Sequence, residues 1–288
     1  PYLDVHGDPD PDHHGEWMMD PADLRAHFRA YWAAGWQIHT HVNGDRGLEV
    51  LLDIIGDCQR DHPRHDHRCV IVHFANSSER QVERIAEYGA IVSANPYYPV
   101  GFADKYGEFG LGPDRADAMV RSASVLRRRI PLSFHSDLPM APSAPLFLAS
   151  CAVNRRTPSG RVAGPDQRIG VADALAAVTI GAAYSWRMED ELGTITPGKR
   201  ATFTVLADDP FDVDASEIHR VGVVGTVYEG TWHPVDEAGS GGLAAARTHP
   251  AFTASVHDRG RDGGDHGGCG CRAARALAAA YVELRRAA

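Results

Sequence analysis

The 288-residue sequence has no long hydrophobic run, and no apolar stretch reaches the roughly 18 residues that a transmembrane helix needs. It also has no block of basic residues, and its formal net charge is -9. This argues against a nucleic-acid partner, because phosphate binding depends on lysine and arginine. The first residues, PYLDVHGDPD, lack the basic start and apolar centre of a signal peptide. We therefore expect neither a membrane nor a nucleic acid as partner.

Cysteine is scarce, with five residues that are scattered except for Cys269 and Cys271. An odd, unpatterned set does not indicate a disulfide framework and suits a reducing compartment, so we expect a cytoplasmic protein. An initiating methionine is also missing. Either the start was processed, or the chain is a piece of a longer one.

What the sequence does contain is an alternation of apolar strands and amphipathic helices. One helix is predicted from Asp20 as N-cap, through Pro21 at its first position, to a stop at Gly35. A polar loop is expected after Tyr98, and a helix is expected around residues 171–186. The predicted strands are WQIHTHV, RCVIVHFA, AIVSANPYYP and PLSFHSDLPM. This alternation predicts parallel strands with crossover helices, an α/β fold.

Four polar residues lie at or near the C-terminal ends of these strands: His41, His73, Asn95 and Asp137. They are separated by 32, 22 and 42 residues, a mean of 32. A (β/α)8 barrel of about 250 residues uses roughly 31 residues for each unit. The spacing therefore matches a barrel, with four of its strands present.

In a parallel barrel the C-terminal strand ends share the rim where catalytic residues lie. Two neutral imidazoles and a carboxylate at that rim are suitable ligands for Zn²⁺ or a similar ion. A single histidine on a strand is more often a hydrogen-bonded core residue. Three ligand-type groups at ordered strand ends favour a metal site instead.

The same segments resemble the later part of the amidohydrolase superfamily, nearest to the amidohydrolase-3 (YtcJ-like) family. In that family the fifth barrel strand ends in a histidine followed closely by Gly-Asp, which His41 and Gly44-Asp45 match. The sixth strand ends in a histidine, which His73 matches, and the eighth ends in Ser-Asp, which residues 136–137 match. The closing GTITPGKRATFTVL resembles the segment in which these chains return to a small β-sandwich.

The resemblance implies a partial TIM barrel of the metal-dependent hydrolases. Residues 1–190 would hold barrel strands 5–8 with their helices, and residues 191–234 would form part of the β-sandwich. Residues 235–288 are expected to be a flexible Gly- and Ala-rich tail with a terminal helix.

The resemblance also implies a function, the hydrolysis of a non-peptide, amide-type C–N bond in a small molecule by a metal-activated water. His41, His73 and Asp137 would be metal ligands, and Asp137 would also be the catalytic base. One or two divalent ions, Zn²⁺ above all, would be the cofactor.

Three further residues are candidates for substrate binding: Asn95, Tyr97 and His135. The alternative for the tyrosine is that it packs beneath the rim. His39 lies on the same face of its strand as His41 but one layer deeper, where a barrel-filling role is expected.

The chain departs from the family pattern, because it has no His-X-His pair on a first strand and no fourth-strand ligand. A missing N-terminal half-barrel, in cis or in trans, or a homo-oligomer would have to complete it. The alternative function is a catalytically incomplete half-barrel that binds metal or needs a partner chain. A third hypothesis is a metal-handling or redox tail formed by His257, Asp265, His266, Cys269 and Cys271.

Overall fold

The computed structural model describes residues 2–3 and 8–235. Residues up to Val235 form one compact unit. The predicted tail, its terminal helix and the His/Cys cluster at 257–271 lie outside the described residues. The hypothesis of a metal-handling tail therefore stays a prediction.

The elements alternate along the chain much as the sequence predicts. The strands are β1 (Tyr2–Leu3), β2 (Pro9–Asp10), β3 (His39–Val42), β4 (Val70–His73), β5 (Ile91–Ala94), β6 (Leu132–Phe134), β7 (Phe203–Leu206), β8 (Val223–Tyr228) and β9 (Thr231–Pro234). The helices are α1 (Pro21–Ala33), α2 (Asp45–Asp61), α3 (Glu79–Tyr88), α4 (Tyr97–Glu108), α5 (Pro113–Asp117), α6 (Ser122–Arg127), α7 (Pro145–Asn154), α8 (Val171–Ala177) and α9 (Ile180–Ser185). Short 3₁₀ turns lie at Pro165–Gln167 and Ala215–Arg220.

Four parallel strands form the sheet that positions the candidate site. Their order is β3-β4-β5-β6, so each strand pairs with the next one along the chain. In this register His41 lies beside Val72, and Val42 lies beside His73. Because parallel neighbours need a long crossover, helices fill each connection. The predicted α/β fold with a parallel sheet is confirmed.

The hydrophobic core lies between this sheet and its helices. Helix α2 contributes leucines and isoleucines at helical spacing, among them Leu48, Leu52 and Ile55, each with no exposed surface. On the sheet, Ile71 and Val92 are equally buried. This packing fixes the strands, and with them the positions of their C-terminal ends.

The other face of strand β3 is open to solvent. His39 and His41 are exposed on it, whereas Val42 points into the core. Among the described strands, β3 pairs only with β4, so it forms one edge of the sheet. Trp36, just before β3, is also exposed. An edge strand of this kind offers unpaired backbone groups to a further strand.

Helix ends follow the capping signals in the sequence. The side chain of Asp20 accepts a hydrogen bond from the amide of Ala22 at the start of α1. At α3 the Ser78 side chain accepts from the amide of Gln81, whose side chain in turn accepts from the Ser78 amide. Gly89 ends this helix with φ of 71°, a left-handed conformation that glycine adopts without a Cβ clash.

Helix α4 occupies part of the region where the sequence predicts a polar loop. Pro99 lies in the first turn, where its missing N–H has no partner to lose. Tyr97, Tyr98 and Ala103 are buried, and this packing outweighs the low helix propensity of Gly101 and Gly107. Tertiary burial has therefore overridden local composition.

The helix expected around residues 171–186 is two helices, α8 and α9. They break at Thr179, whose hydroxyl donates a hydrogen bond back to the carbonyl of Leu175. Such a bond competes with the backbone hydrogen bonds of a continuous helix.

Strands β7, β8 and β9 form a separate three-stranded antiparallel sheet. Most of its side chains are exposed or half-buried. Among the helices of the described chain, none combines the length and the apolar character needed to cross a membrane.

Candidate metal centre

The side chains predicted to form a site converge at the C-terminal ends of β3, β4 and β6. We call His41, His73 and His135 the imidazole cluster. The ring centroids of His41 and His73 are 4.3 Å apart, and those of His73 and His135 are 4.8 Å apart. Nδ1 of His73 lies 3.0 Å from Nε2 of His135 and 3.9 Å from Oδ2 of Asp137. Three imidazoles therefore lie together at neighbouring strand ends, and one of them, His73, is 3.9 Å from the carboxylate of Asp137.

The backbone at His73 explains how its ring joins His41. In register, His73 lies beside Val42, whose side chain points into the core. A regular strand would send the His73 side chain to that same face, away from His41. His73 instead has φ of 73°, and Phe74 follows with φ of 53°. This left-handed backbone breaks the alternation and places the imidazole beside His41.

Asp137 shares this unusual backbone, with φ of 54°. Left-handed conformations cost non-glycine residues energy and cluster at functional sites. Two of the three predicted metal ligands have this conformation, among nine non-glycine residues with positive φ in the described part of the chain.

Burial keeps the imidazoles neutral. It lowers the pKa of His73 to about 4, with the neighbouring His41 and His135 rings adding to the shift and Asp137 opposing it. Burial likewise lowers the pKa of His135, and partial desolvation lowers that of His41, against the effect of Asp137. A neutral imidazole is the form that binds a metal ion.

Asn95, a predicted substrate-binding residue, is buried beneath the rim. Its Oδ1 accepts a hydrogen bond from the amide of Tyr97, and its Nδ2 donates to the carbonyl of Ser136. The amide thus ties the start of α4 to the residue before Asp137.

Tyr97, the second candidate for substrate binding, packs among aromatic rings. Its ring centroid lies 5.9 Å from that of Phe102 and 6.0 Å from that of Phe147. The neighbouring Tyr98, not Tyr97, contacts the imidazole cluster, with its hydroxyl 3.3 Å from Nδ1 of His73. Helix α4 decides which of the two tyrosines faces the site, and the sequence does not predict that helix.

A serine on the adjacent strand belongs to the site and is missed by sequence reasoning. The hydroxyl of Ser93, on β5, lies 3.1 Å from Nδ1 of His135. The signal in the sequence is a polar residue inside an apolar strand, two positions before Asn95 and so on one face of the strand.

His39 and Asp45 lie apart from the imidazole cluster. The ring of His39 packs at 4.8 Å from that of Trp186, toward the other end of β3. Asp45 is the first residue of α2, with Gly44 as the N-cap, and its carboxylate pairs with Arg115 at 3.1 Å.

The donor chemistry at these strand ends fits a divalent cation. Two imidazoles and a carboxylate are typical ligands of Zn²⁺. Within the described residues, however, no three side chains of His, Cys, Asp or Glu have the spacing of a complete metal site. The donor types at the strand ends thus fit a divalent cation, whereas the positions of these side chains within the described residues do not form a site that could hold one.

Comparisons with known proteins show the family to which the chain belongs. A sequence model described as the amidohydrolase family matches residues 1–232. The chain is 29% identical over 219 residues to Protein LONG AFTER FAR-RED 3 of Arabidopsis thaliana, covering 75% of this chain and 36% of that protein. It is 27% identical over 234 residues to putative amidohydrolase YtcJ of Bacillus subtilis, covering 80% and 42%.

A third relative is the N-substituted formamide deformylase of Arthrobacter pascens, 26% identical over 68% of this chain and 36% of that protein. Among solved structures, an uncharacterized metal-dependent hydrolase from Pyrococcus horikoshii superposes with a TM-score of 0.63 and 25% identity, covering 75% of this chain and 42% of that one. The chain thus spans roughly two fifths of the length of the relatives it matches.

Proposed function

The chain belongs to the amidohydrolase family, and we propose that it forms the C-terminal half of the active site of a metal-dependent hydrolase. The observation that carries the proposal is the convergence of His41, His73 and Asp137 at neighbouring C-terminal strand ends. The similarity to a metal-dependent hydrolase of known structure supports it.

We assign His41, His73 and Asp137 as the metal ligands of this chain. Their nitrogen and oxygen donors favour Zn²⁺, as one ion or two. When bound, such an ion lowers the pKa of a water molecule toward 7 and polarises a carbonyl. His41 and His73, kept neutral by desolvation, would each offer a ring nitrogen.

The exposed carboxylate of Asp137 would act as the catalytic base. It would take a proton from the attacking water and deliver it to the leaving amine, which needs a group within hydrogen-bond reach of both. Asn95 would position this carboxylate through its hydrogen bond to Ser136. His135, next to the ligand His73, and Tyr97 remain our candidates for substrate contact.

For the bond that is cleaved, we propose a non-peptide, amide-type C–N bond in a small molecule. The activity for which one relative is named, the deformylation of N-substituted formamides, supports this choice. The three described cysteines, Cys58, Cys69 and Cys151, are free and buried, which is consistent with our proposal of a cytoplasmic enzyme.

The remaining ligands would come from a further half-barrel, in the same polypeptide, in a partner chain or in a second copy. The greater length of the relatives and the open edge at β3 support this. The alternative function follows from the same observation, because a half-barrel without that complement would bind metal weakly and have no hydrolase activity.

The test is to purify the 288-residue chain with Zn²⁺, with and without the N-terminal half of a relative such as the YtcJ protein. Metal content and hydrolysis of N-substituted formamides are then measured. We expect metal binding by the chain and hydrolysis in the complemented sample. His73→Ala and Asp137→Asn should each abolish hydrolysis, whereas His27→Gln, at an exposed site on α1, should not.

Hydrolysis that persists in either site variant would refute the proposed roles. Metal binding without hydrolysis in the complemented sample would favour the alternative function. If the wild-type chain takes up no Zn²⁺ in either sample, the metal-dependent proposal is wrong.

A further inference from the structure

A line of hydrogen-bonding groups crosses three neighbouring strands and ends on His73. Ser93 lies on β5, and its hydroxyl is 3.1 Å from Nδ1 of His135, just after β6. Nε2 of the same His135 ring is 3.0 Å from Nδ1 of His73, at the end of β4. Both nitrogens of His135 are therefore engaged, one by the serine and one by the predicted metal ligand.

A neutral imidazole has one N–H donor and one lone-pair acceptor, so this line can run in only two directions. In one, His135 donates from Nε2 to His73, whose own proton is then on Nε2. In the other, Nδ1–H of His73 donates to Nε2 of His135, and Nδ1–H of His135 donates to the Ser93 hydroxyl. The two directions leave opposite nitrogens of His73 available to a cation.

The carboxylate of Asp137 favours the second direction. Its Oδ2 lies 3.9 Å from Nδ1 of His73 and therefore attracts a proton on that nitrogen. The Tyr98 hydroxyl, 3.3 Å from the same nitrogen, can accept from an N–H there or donate to a lone pair there, so it is compatible with both directions.

We infer that Ser93 and His135 form a positioning relay that holds His73 in the Nδ1–H tautomer and leaves its Nε2 as the metal-binding nitrogen. A second partner that fixes the tautomer and orientation of a ligating histidine is a general feature of metal sites. His135 is then a positioning residue and not a metal ligand. This role rests on the proposed function, but the relay itself exists without metal.

The experiment uses the full 288-residue chain with ¹⁵N-labelled histidine, free of metal and near neutral pH, with the ring tautomers read by long-range ¹H–¹⁵N spectra. His67 supplies an internal reference with the opposite tautomer, Nε2–H. Its Nδ1 accepts from the amide of Cys69 at 2.9 Å, so its proton is on Nε2, 2.7 Å from the carbonyl of Tyr88. Unchanged His67 signals also show that a variant is folded.

We expect the His73 signals to show Nδ1–H in the wild-type chain. His135→Leu should shift His73 toward Nε2–H, whereas His135→Gln should preserve Nδ1–H because its side-chain carbonyl can accept the bond. Ser93→Ala should produce a smaller shift in the same direction. Ser133→Ala is the matched control, since that hydroxyl, on β6, donates to the carbonyl of Val92 and not to His135.

Zinc binding gives a second readout. His135→Leu should weaken Zn²⁺ binding roughly 10- to 100-fold, the usual effect of losing a partner of a metal ligand. His135→Gln should recover most of the affinity, and Ser133→Ala should leave it unchanged. If His135 acted through packing alone, the leucine and glutamine variants would not differ in zinc affinity in this way.

An Nε2–H signal for His73 in the wild-type chain would overturn the relay, as would an unchanged His73 tautomer in His135→Leu. Zinc bound to Nε2 of His135 would also overturn it, while leaving the proposed function in place. Conversely, a chain with His73 in the Nδ1–H form that takes up no zinc, even when the complementing half-barrel is present, keeps the relay and refutes the proposed function.

Discussion

Acidification should destabilise the folded chain through His73. Burial lowers the pKa of this histidine from 6.5 to about 4, so between these values the unfolded chain binds a proton that the folded chain does not. Stability is therefore full above about pH 6.5, declines as the pH falls toward about 4, and changes no further below that through this group. At about 1.4 kcal/mol for each pKa unit, the full loss is about 3–4 kcal/mol.

The assay is urea unfolding followed by circular dichroism at about pH 7.5 and about pH 4.5, for the wild-type chain and for His73→Gln. Glutamine has a comparable size and can hydrogen-bond, but it does not titrate. Carboxylates change the stability of both proteins alike, so the difference between them isolates His73. Because pH 4.5 lies just above the folded pKa, we expect the wild-type chain to lose slightly less than the full amount, about 2–3 kcal/mol more than the variant, over this interval.

An equal loss in the two proteins would refute the argument that His73 is held neutral by burial. His27→Gln is the control, because His27 is exposed on α1, and it should lose as much stability as the wild-type chain.

Five other substitutions test the scaffold by urea unfolding. Arg155→Met should lower the free energy of unfolding by roughly 3–5 kcal/mol, because four backbone carbonyls would lose the buried guanidinium as a donor. The exposed Arg156→Met should change it by less than about 1 kcal/mol. Gly198→Ala, at φ of 95° with no neighbouring atoms, should lower the free energy of unfolding by roughly 1–2 kcal/mol. Gly164→Ala should lower it more, because the added Cβ would lie 2.2 Å from a backbone oxygen. Equal losses for the two variants would contradict this reasoning. Ser78→Ala should cost about 1 kcal/mol through loss of the capping box, and no loss would show that α3 does not depend on it.

The sequence predicts the parallel sheet because its signals are local. Asp20 and Ser78 cap their helices as their spacing indicates, and apolar runs mark strands β3 to β6. The positions of His41 and His73 at strand ends also follow from these signals.

What the sequence does not predict depends on tertiary contacts or on the backbone. Helix α4 forms because Tyr97 and Tyr98 are buried, and only that helix selects Tyr98 as the tyrosine beside His73. The contact of Ser93 with His135 depends on the register between β5 and β6, which pairs Ser93 with Ser133. The left-handed backbone at His73 has no signal in the sequence, since neither glycine nor asparagine is found there.

Because the left-handed backbone at His73 and Phe74 sets the position of the imidazole, the ligand cannot be moved to another position on β4. An imidazole moved one position earlier, to Val72, would occupy a regular strand position, with a different depth and direction. A histidine scan along β4 should therefore find no substitute, and a designer who grafts the site onto another barrel must copy the turn as well as the side chains.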